Sequence, residues 1–214
     1  MNNTKLAEYL NNEILPIYDT FDKGHNRDHI EDVARNSIEL VKTIKDNKLF
    51  NEEINLDMVL AAAYFHDLGM PQGRATHHLT SAVLLREDNF INRYFDSAQI
   101  ETIAQAIEDH RASSKTDPRS IYGKILSSAD RIIIPNTIII RTYYYGLDHY
   151  PNISHAEQLE RIYEHISIKY GKGGYLRVPI LTKANSEALE RLQTLISDKQ
   201  SFLAYTEDLV TKND

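Results

Sequence analysis

The sequence predicts an all-α fold. Apolar residues recur at three- and four-residue spacing in segment after segment, which is the periodicity of a helix with one buried face. No segment alternates apolar and polar residues over the length of a strand, and no period of internal repeat is present. Clusters of Gly, Pro, Ser and Asp fall between the periodic stretches, where helices must end.

Taken in order, the spacing predicts helices near 4–17, 28–48, 56–67, 77–91, 97–111, 118–134, 137–147, 154–169, 184–197 and 199–210. The first is a short amphipathic helix. Gly24 precedes the second, in which Val33, Ile38, Leu40 and Val41 should look inward. The third carries "LAAAYF", whose small alanines permit close helix approach, and stops at "GMPQGRAT". The fourth runs from His77 through Ala82, Val83 and Leu84, and the fifth, "IETIAQAI", ends at His110. The stretch "SSKTDP" separates it from the sixth, which should hold Asp130 in its interior within "KILSSADRIII". "GKGGYLRVP" after Tyr170 reads as a short hairpin or an extended loop near 171–179. A length of 214 residues suits one domain, 1–214, with a motif-bearing core at about 20–145 and the helices of 146–214 completing the bundle.

Composition narrows the function classes. Hydrophobic content of 42% and charged content of 26% belong to a globular chain. A formal charge of -7 argues against a broad nucleic-acid-binding surface, because neutralising phosphates takes clustered Lys and Arg. With no cysteine there is neither a disulfide framework nor a thiolate metal site nor a thiol nucleophile. The N-terminal stretch lacks the basic-then-apolar pattern of a signal peptide, so a cytoplasmic location is expected. The most apolar stretch, "RIIIPNTIIIRTYYYGL", is interrupted by Pro135, Asn136 and Arg141 and is shorter than the roughly 20 residues a membrane span requires.

His66-Asp67 closes an apolar stretch, and His29, His77, His110 and Asp130 each lie in a different segment. Nitrogen and oxygen donors converging from several helices are what a divalent ion needs, and a carboxylate can bridge two ions. Neighbouring side chains on a helix point roughly 100° apart, so the His-Asp pair must face an open centre and take its other ligands from elsewhere.

The matching text is "RDHIEDVARN" around His29, "LAAAYFHDLG" around His66 and Asp67, "THHLTSAVLL" around His77, "IAQAIEDH" ending at His110, and "ILSSADRI" around Asp130. In this order and with these apolar neighbours, the chain resembles the HD-domain superfamily of metal-dependent phosphohydrolases over about residues 20–145. The resemblance implies an HD-type helical bundle. It implies a minimal one-ion site of His29, His66, Asp67 and Asp130, with Asp67 catalytic, and His77 and His110 either supplying a second ion bridged by Asp67 or, with one ion, serving as phosphate ligands or proton donors. The implied cofactors are two divalent transition-metal ions, Fe or Mn, with Ni, Co or Zn as alternatives.

Such a site activates water as a metal-bound hydroxide and stabilises the attacking and leaving oxygens of an in-line displacement. That chemistry points to hydrolysis of a phosphoester in a small phosphorylated or nucleotide-like metabolite. A diiron oxygenase on the same scaffold and a non-catalytic ligand-binding domain are the competing readings. Candidate substrate contacts are Arg74 in the loop after Asp67, His78 beside His77, Arg141 among tyrosines and Lys172 in "YGKGGY". His25, four residues before His29, reads as a solvent-facing loop residue, and His149, His155 and His165 as surface or core.

Overall fold

A computed structural model of the chain describes residues 4–22, 24–48, 50, 53–112 and 116–213. Among these every regular element is helical and none is a strand. The segment 171–179 is an extended loop, held by N–H bonds from Tyr175 to the Ile168 carbonyl and from Leu176 to the Lys169 carbonyl.

The chain divides into two compact units, residues 1–132 with 178–180, and residues 133–177 with 181–214. The first unit opens with α1 (Thr4–Tyr9), which widens into a π-type turn (Leu10–Ile14) and then tightens into a 3₁₀ stretch (Leu15–Thr20). Pro16 sits at the start of that stretch, where its missing N–H costs nothing. There follow α2 (Arg27–Asp46), α3 (Leu56–Phe65), a 3₁₀ turn (Met70–Gln72), α4 (His77–Glu87), α5 (Ile91–Tyr94), α6 (Ser97–Asp109) and α7 (Ile121–Ala129).

The expected fourth helix is two. Asp88 turns extended and uses its carboxylate to accept the N–H groups of Phe90 and Ile91, which ends α4 and starts α5. The expected sixth helix is also shorter: α7 ends at Ala129 and Asp130 is its C-cap, so Asp130 lies at a helix end and not in a helix interior.

α3 is the centre of this unit. Met58, Val59, Ala61, Ala62, Ala63 and Phe65 are buried, so it is apolar almost all round, as a helix surrounded by others must be. α2 covers it with Ile30, Val33, Ala34, Leu40, Val41 and Ile44, while Ile38 is only half-buried. α6 contributes Ile100, Ile103, Ala104, Ala106 and Ile107. Each fully buried aliphatic side chain stabilises by about 1.5–3 kcal/mol before conformational entropy is counted. The outer faces of α4 and α6 are tied by Arg86, which donates to Glu101 and Glu108.

In the second unit α8 (Pro135–His149), α9 (His155–Tyr170), α10 (Lys183–Ile196) and α11 (Lys199–Thr211) share a core of Ile139, Ile162, Ile166, Leu192 and Phe202. α8 begins at Pro135, one residue after Ile134, and not two residues beyond the proline. Of the three consecutive tyrosines only Tyr143 is buried. Gly146 lets α9 approach α8 so closely that a Cβ there would collide with Gln158 and Arg161. No helix among the described residues is long and apolar enough to cross a membrane.

Candidate metal centre

Five helix ends carry the six predicted ligands. Asn26 caps α2 by accepting the His29 N–H at 3.2 Å, which places His29 in the first turn. His66, His110 and Asp130 are the C-caps of α3, α6 and α7, and Asp67 follows His66 into a turn. His77 is the first residue of α4. Three of these ends are C-terminal, whose negative dipole poles favour a cation, and two are N-terminal, whose positive poles oppose it.

Asp67 lies at the middle, and its two carboxylate oxygens serve different neighbours. Oδ2 lies 3.2 Å from His66 Nε2 and 3.6 Å from His29 Nε2. Oδ1 lies 3.3 Å from His77 Nε2 and 3.6 Å from His110 Nε2. Asp130 Oδ1 joins the first group, 3.3 Å from His29 Nε2 and 3.9 Å from His66 Nε2. The structure thus brings together His29, His66, Asp67, His77, His110 and Asp130, as two groups sharing Asp67.

Three of the four imidazoles are fixed by their own backbone. Nδ1 donates to the carbonyl three residues upstream in His66 (Ala63, 2.8 Å), His77 (Arg74, 2.8 Å) and His110 (Ile107, 2.6 Å). A carbonyl only accepts, so Nδ1 carries the proton and Nε2 of the neutral ring presents its lone pair to the centre, the tautomer a metal ligand requires. His66 Nε2 is fully buried with no partner in hydrogen-bond geometry. A buried lone pair without a donor is costly unless a cation meets it, so the donor set fits a divalent metal.

A model of the HD domain family matches residues 26–133, half of the chain. The chain belongs to the HD-domain family. No curated protein and no solved structure matches it. The HD match begins at Asn26, which caps the His29 helix, and ends three residues beyond Asp130, so all six residues fall inside it.

Side chains from other elements fasten the ligand-bearing ends of this HD domain. Tyr18, fully buried, donates its hydroxyl to the Tyr64 carbonyl at 2.8 Å. Arg131 donates to the His110 carbonyl, and Asn36 Nδ2 to the Ala129 carbonyl at 3.4 Å. These carbonyls lie in the last turns of α3, α6 and α7, which a helix alone leaves unsatisfied. Gly69 N–H donates to Ser81 Oγ at 2.8 Å, locking the turn after Asp67 onto α4. Ser81 is thus the small residue one turn past His77 that lets the two backbones meet.

The electrostatics without metal follow from the same contacts. Burial disfavours charge on His29, but the carboxylates of Asp130 and Asp67 outweigh it and raise the imidazole to about 10. His66 is also raised: burial opposes its charge and Asp67 favours it more. Burial would raise Asp67 and Asp130, yet the surrounding imidazoles hold both below the usual carboxylate range. On the other side, burial and then the neighbouring His110 lower His77. His29 is thus held by a proton where an ion would hold it.

Of the candidate substrate contacts, Arg74 is exposed in the HD-domain loop between Asp67 and His77. His78 is half-buried with its ring 5.5 Å from that of His77, and burial, then His110 and His77, push it down to about 4. Arg141 and Lys172 belong to the second unit, the first exposed on α8 and the second exposed in the 171–179 loop. His25 is not the solvent-facing residue expected. It is half-buried, its Nδ1 is held by the Asp22 carboxylate at 2.9 Å, and its ring lies 6.1 Å from that of His29. His155 pairs with Glu207, His149 stacks on Tyr145, and His165 is lowered by burial on α9.

Proposed function

We propose that the protein is a metal-dependent phosphohydrolase that cleaves a phosphoester in a small phosphorylated or nucleotide-like metabolite. The observation that carries this reading is the division of the Asp67 carboxylate, one oxygen toward each histidine pair. HD-domain proteins are in general metal-dependent phosphohydrolases, which points the same way.

His29, His66, Asp130 and Asp67 Oδ2 would hold one ion, and His77, His110 and Asp67 Oδ1 a second. Bound there, divalent ions would supply Lewis acidity toward a phosphoryl oxygen and an activated water at neutral pH. The protein's own part is orientation. The Nδ1 bonds of His66, His77 and His110 keep the donors aimed inward, and the nearly complete burial of His66, Asp67 and His110 excludes bulk water from the bridging carboxylate. Arg74 offers a planar cation on an exposed loop to a substrate phosphate, and His78, neutral at pH 7, offers a hydrogen bond at the rim.

The test is elemental analysis of protein purified without chelator or His tag, joined to a phosphatase screen over nucleotides, diesters and sugar phosphates. Metal-dependent release of phosphate from at least one class is expected. Metal-replete protein that turns over none of them, but consumes O2 in an iron-dependent way, overturns the reading in favour of an oxygenase.

A further inference from the structure

The turn that carries His66 and Asp67 begins where α3 runs out of backbone partners. His66 Nδ1 takes the Ala63 carbonyl, and the Leu68 N–H goes to Phe65, not to Tyr64. The Tyr64 carbonyl is satisfied from outside, by the Tyr18 hydroxyl at 2.8 Å. One buried hydroxyl thus holds the backbone three residues before Asp67. Tyr18 has no freedom to do otherwise: it is 0% exposed and its ring packs against Phe21 at 4.8 Å between centroids.

We propose that Tyr18 is a positioning residue for the metal centre, its hydroxyl setting the backbone from Tyr64 to Asp67 so that the Asp67 carboxylate stands between the two histidine pairs. This rests on the reading that the cluster binds metal. The ring supplies packing to the first unit; the hydroxyl supplies direction. Removing the oxygen alone leaves the Tyr64 carbonyl without its partner. The turn then relaxes toward whatever bonds it can find, and the carboxylate moves with it. Ligand supports of this kind typically change metal affinity by about 10–100-fold.

The experiment compares wild type, Tyr18→Phe and Tyr94→Phe, with Mn(II) affinity measured by competition against a chelating indicator at a temperature where all three are folded. Tyr94→Phe is the control, since it also deletes a phenol hydroxyl of the same unit, one that donates to Asp57 at 2.8 Å away from the cluster. Expected is a roughly 10–100-fold weaker affinity for Tyr18→Phe, an unchanged affinity for Tyr94→Phe, and wild-type helical content for both. An affinity of Tyr18→Phe within about twofold of wild type overturns the proposal, as does an equal loss in Tyr94→Phe, which would mark a general effect of destabilisation. Wild-type protein that takes up no Mn(II) while remaining folded overturns the metal reading and this role with it.

Discussion

His77 and His110 face each other Nε2 to Nε2 at 3.1 Å, each with its Nδ1–H already donated to the backbone. Two neutral imidazoles so arranged oppose lone pair to lone pair, which is repulsive unless a cation joins them. With Asp67 Oδ1 3.3 Å from the first and 3.6 Å from the second, three donors converge on that position.

The number of ions follows. His77→Ala and His110→Ala should each lower metal content from about two per chain toward one, since His29, His66, Asp67 and Asp130 still hold the first ion. Activity should fall strongly in both. Elemental analysis of the three proteins checks this, and one ion per chain throughout would refute a two-ion site.

Asp67→Ala should be more severe. It removes the group common to both histidine pairs, so metal content should collapse and turnover fall by more than the roughly 100-fold that loss of a supporting residue costs. The core is elsewhere, in α2, α3 and α6, so far-UV circular dichroism should stay near wild type. Near-normal turnover by a metal-replete Asp67→Ala protein is incompatible with the mechanism.

Gly69→Ala tests the joint between the His66-Asp67 turn and α4. The added Cβ would collide with the His77 carbonyl oxygen and come within 2.8 Å of the Ser81 nitrogen, both backbone atoms that cannot swing away. Overpacking of this kind costs about 1–3 kcal/mol. A urea melt should show that loss, and metal content should drop because His77 is pushed from Asp67. A melt unchanged within about 0.5 kcal/mol would contradict the close approach.

The pH dependence has a definite sign. In the metal-free protein the raised His29 contributes stability that is full below its ordinary 6.5 and is lost as pH climbs through about 10. The lowered Asp67 and Asp130 contribute stability that is full above the ordinary 3.8 and is lost as pH falls. An ion must displace the His29 proton, so metal binding strengthens over the range where the metal-free protein weakens. Melting temperatures with saturating Mn(II) and with EDTA should therefore diverge as pH rises from about 6.5 to 10. A constant or narrowing gap would overturn the assignment.

Much of this was legible in the sequence. Helical periodicity carries the all-α class, because one buried face per helix is a local property that spacing records. Six metal-ligating side chains, four His and two Asp, set among apolar stretches carry the candidate centre for the same reason. The end of α7 was hidden because Ile132, Ile133 and Ile134 prolong an apolar run that looks helical. There the Ile133 N–H is taken by the Asn185 side chain, 52 residues away, which no local pattern discloses. Tyr18 was hidden likewise: its hydrogen-bond partner lies 46 positions on, and its own neighbours mark it only as one more core aromatic. His25 was misjudged because a loop residue beside Gly24 looks free until the Asp22 carboxylate is seen holding it.

The backbone bonds to Nδ1 of His66, His77 and His110 would govern how the protein takes up metal ions. Side-chain rotation that a flexible ligand would forfeit on capturing an ion is already surrendered when the chain folds. Loading would then be a rigid capture by a finished cage, unlike small zinc modules whose folding waits for the ion. Such a cage can release one divalent ion and take up another without unfolding. The ion such a cage held would accordingly be decided by the relative supply of metals around it and their intrinsic ligand preferences.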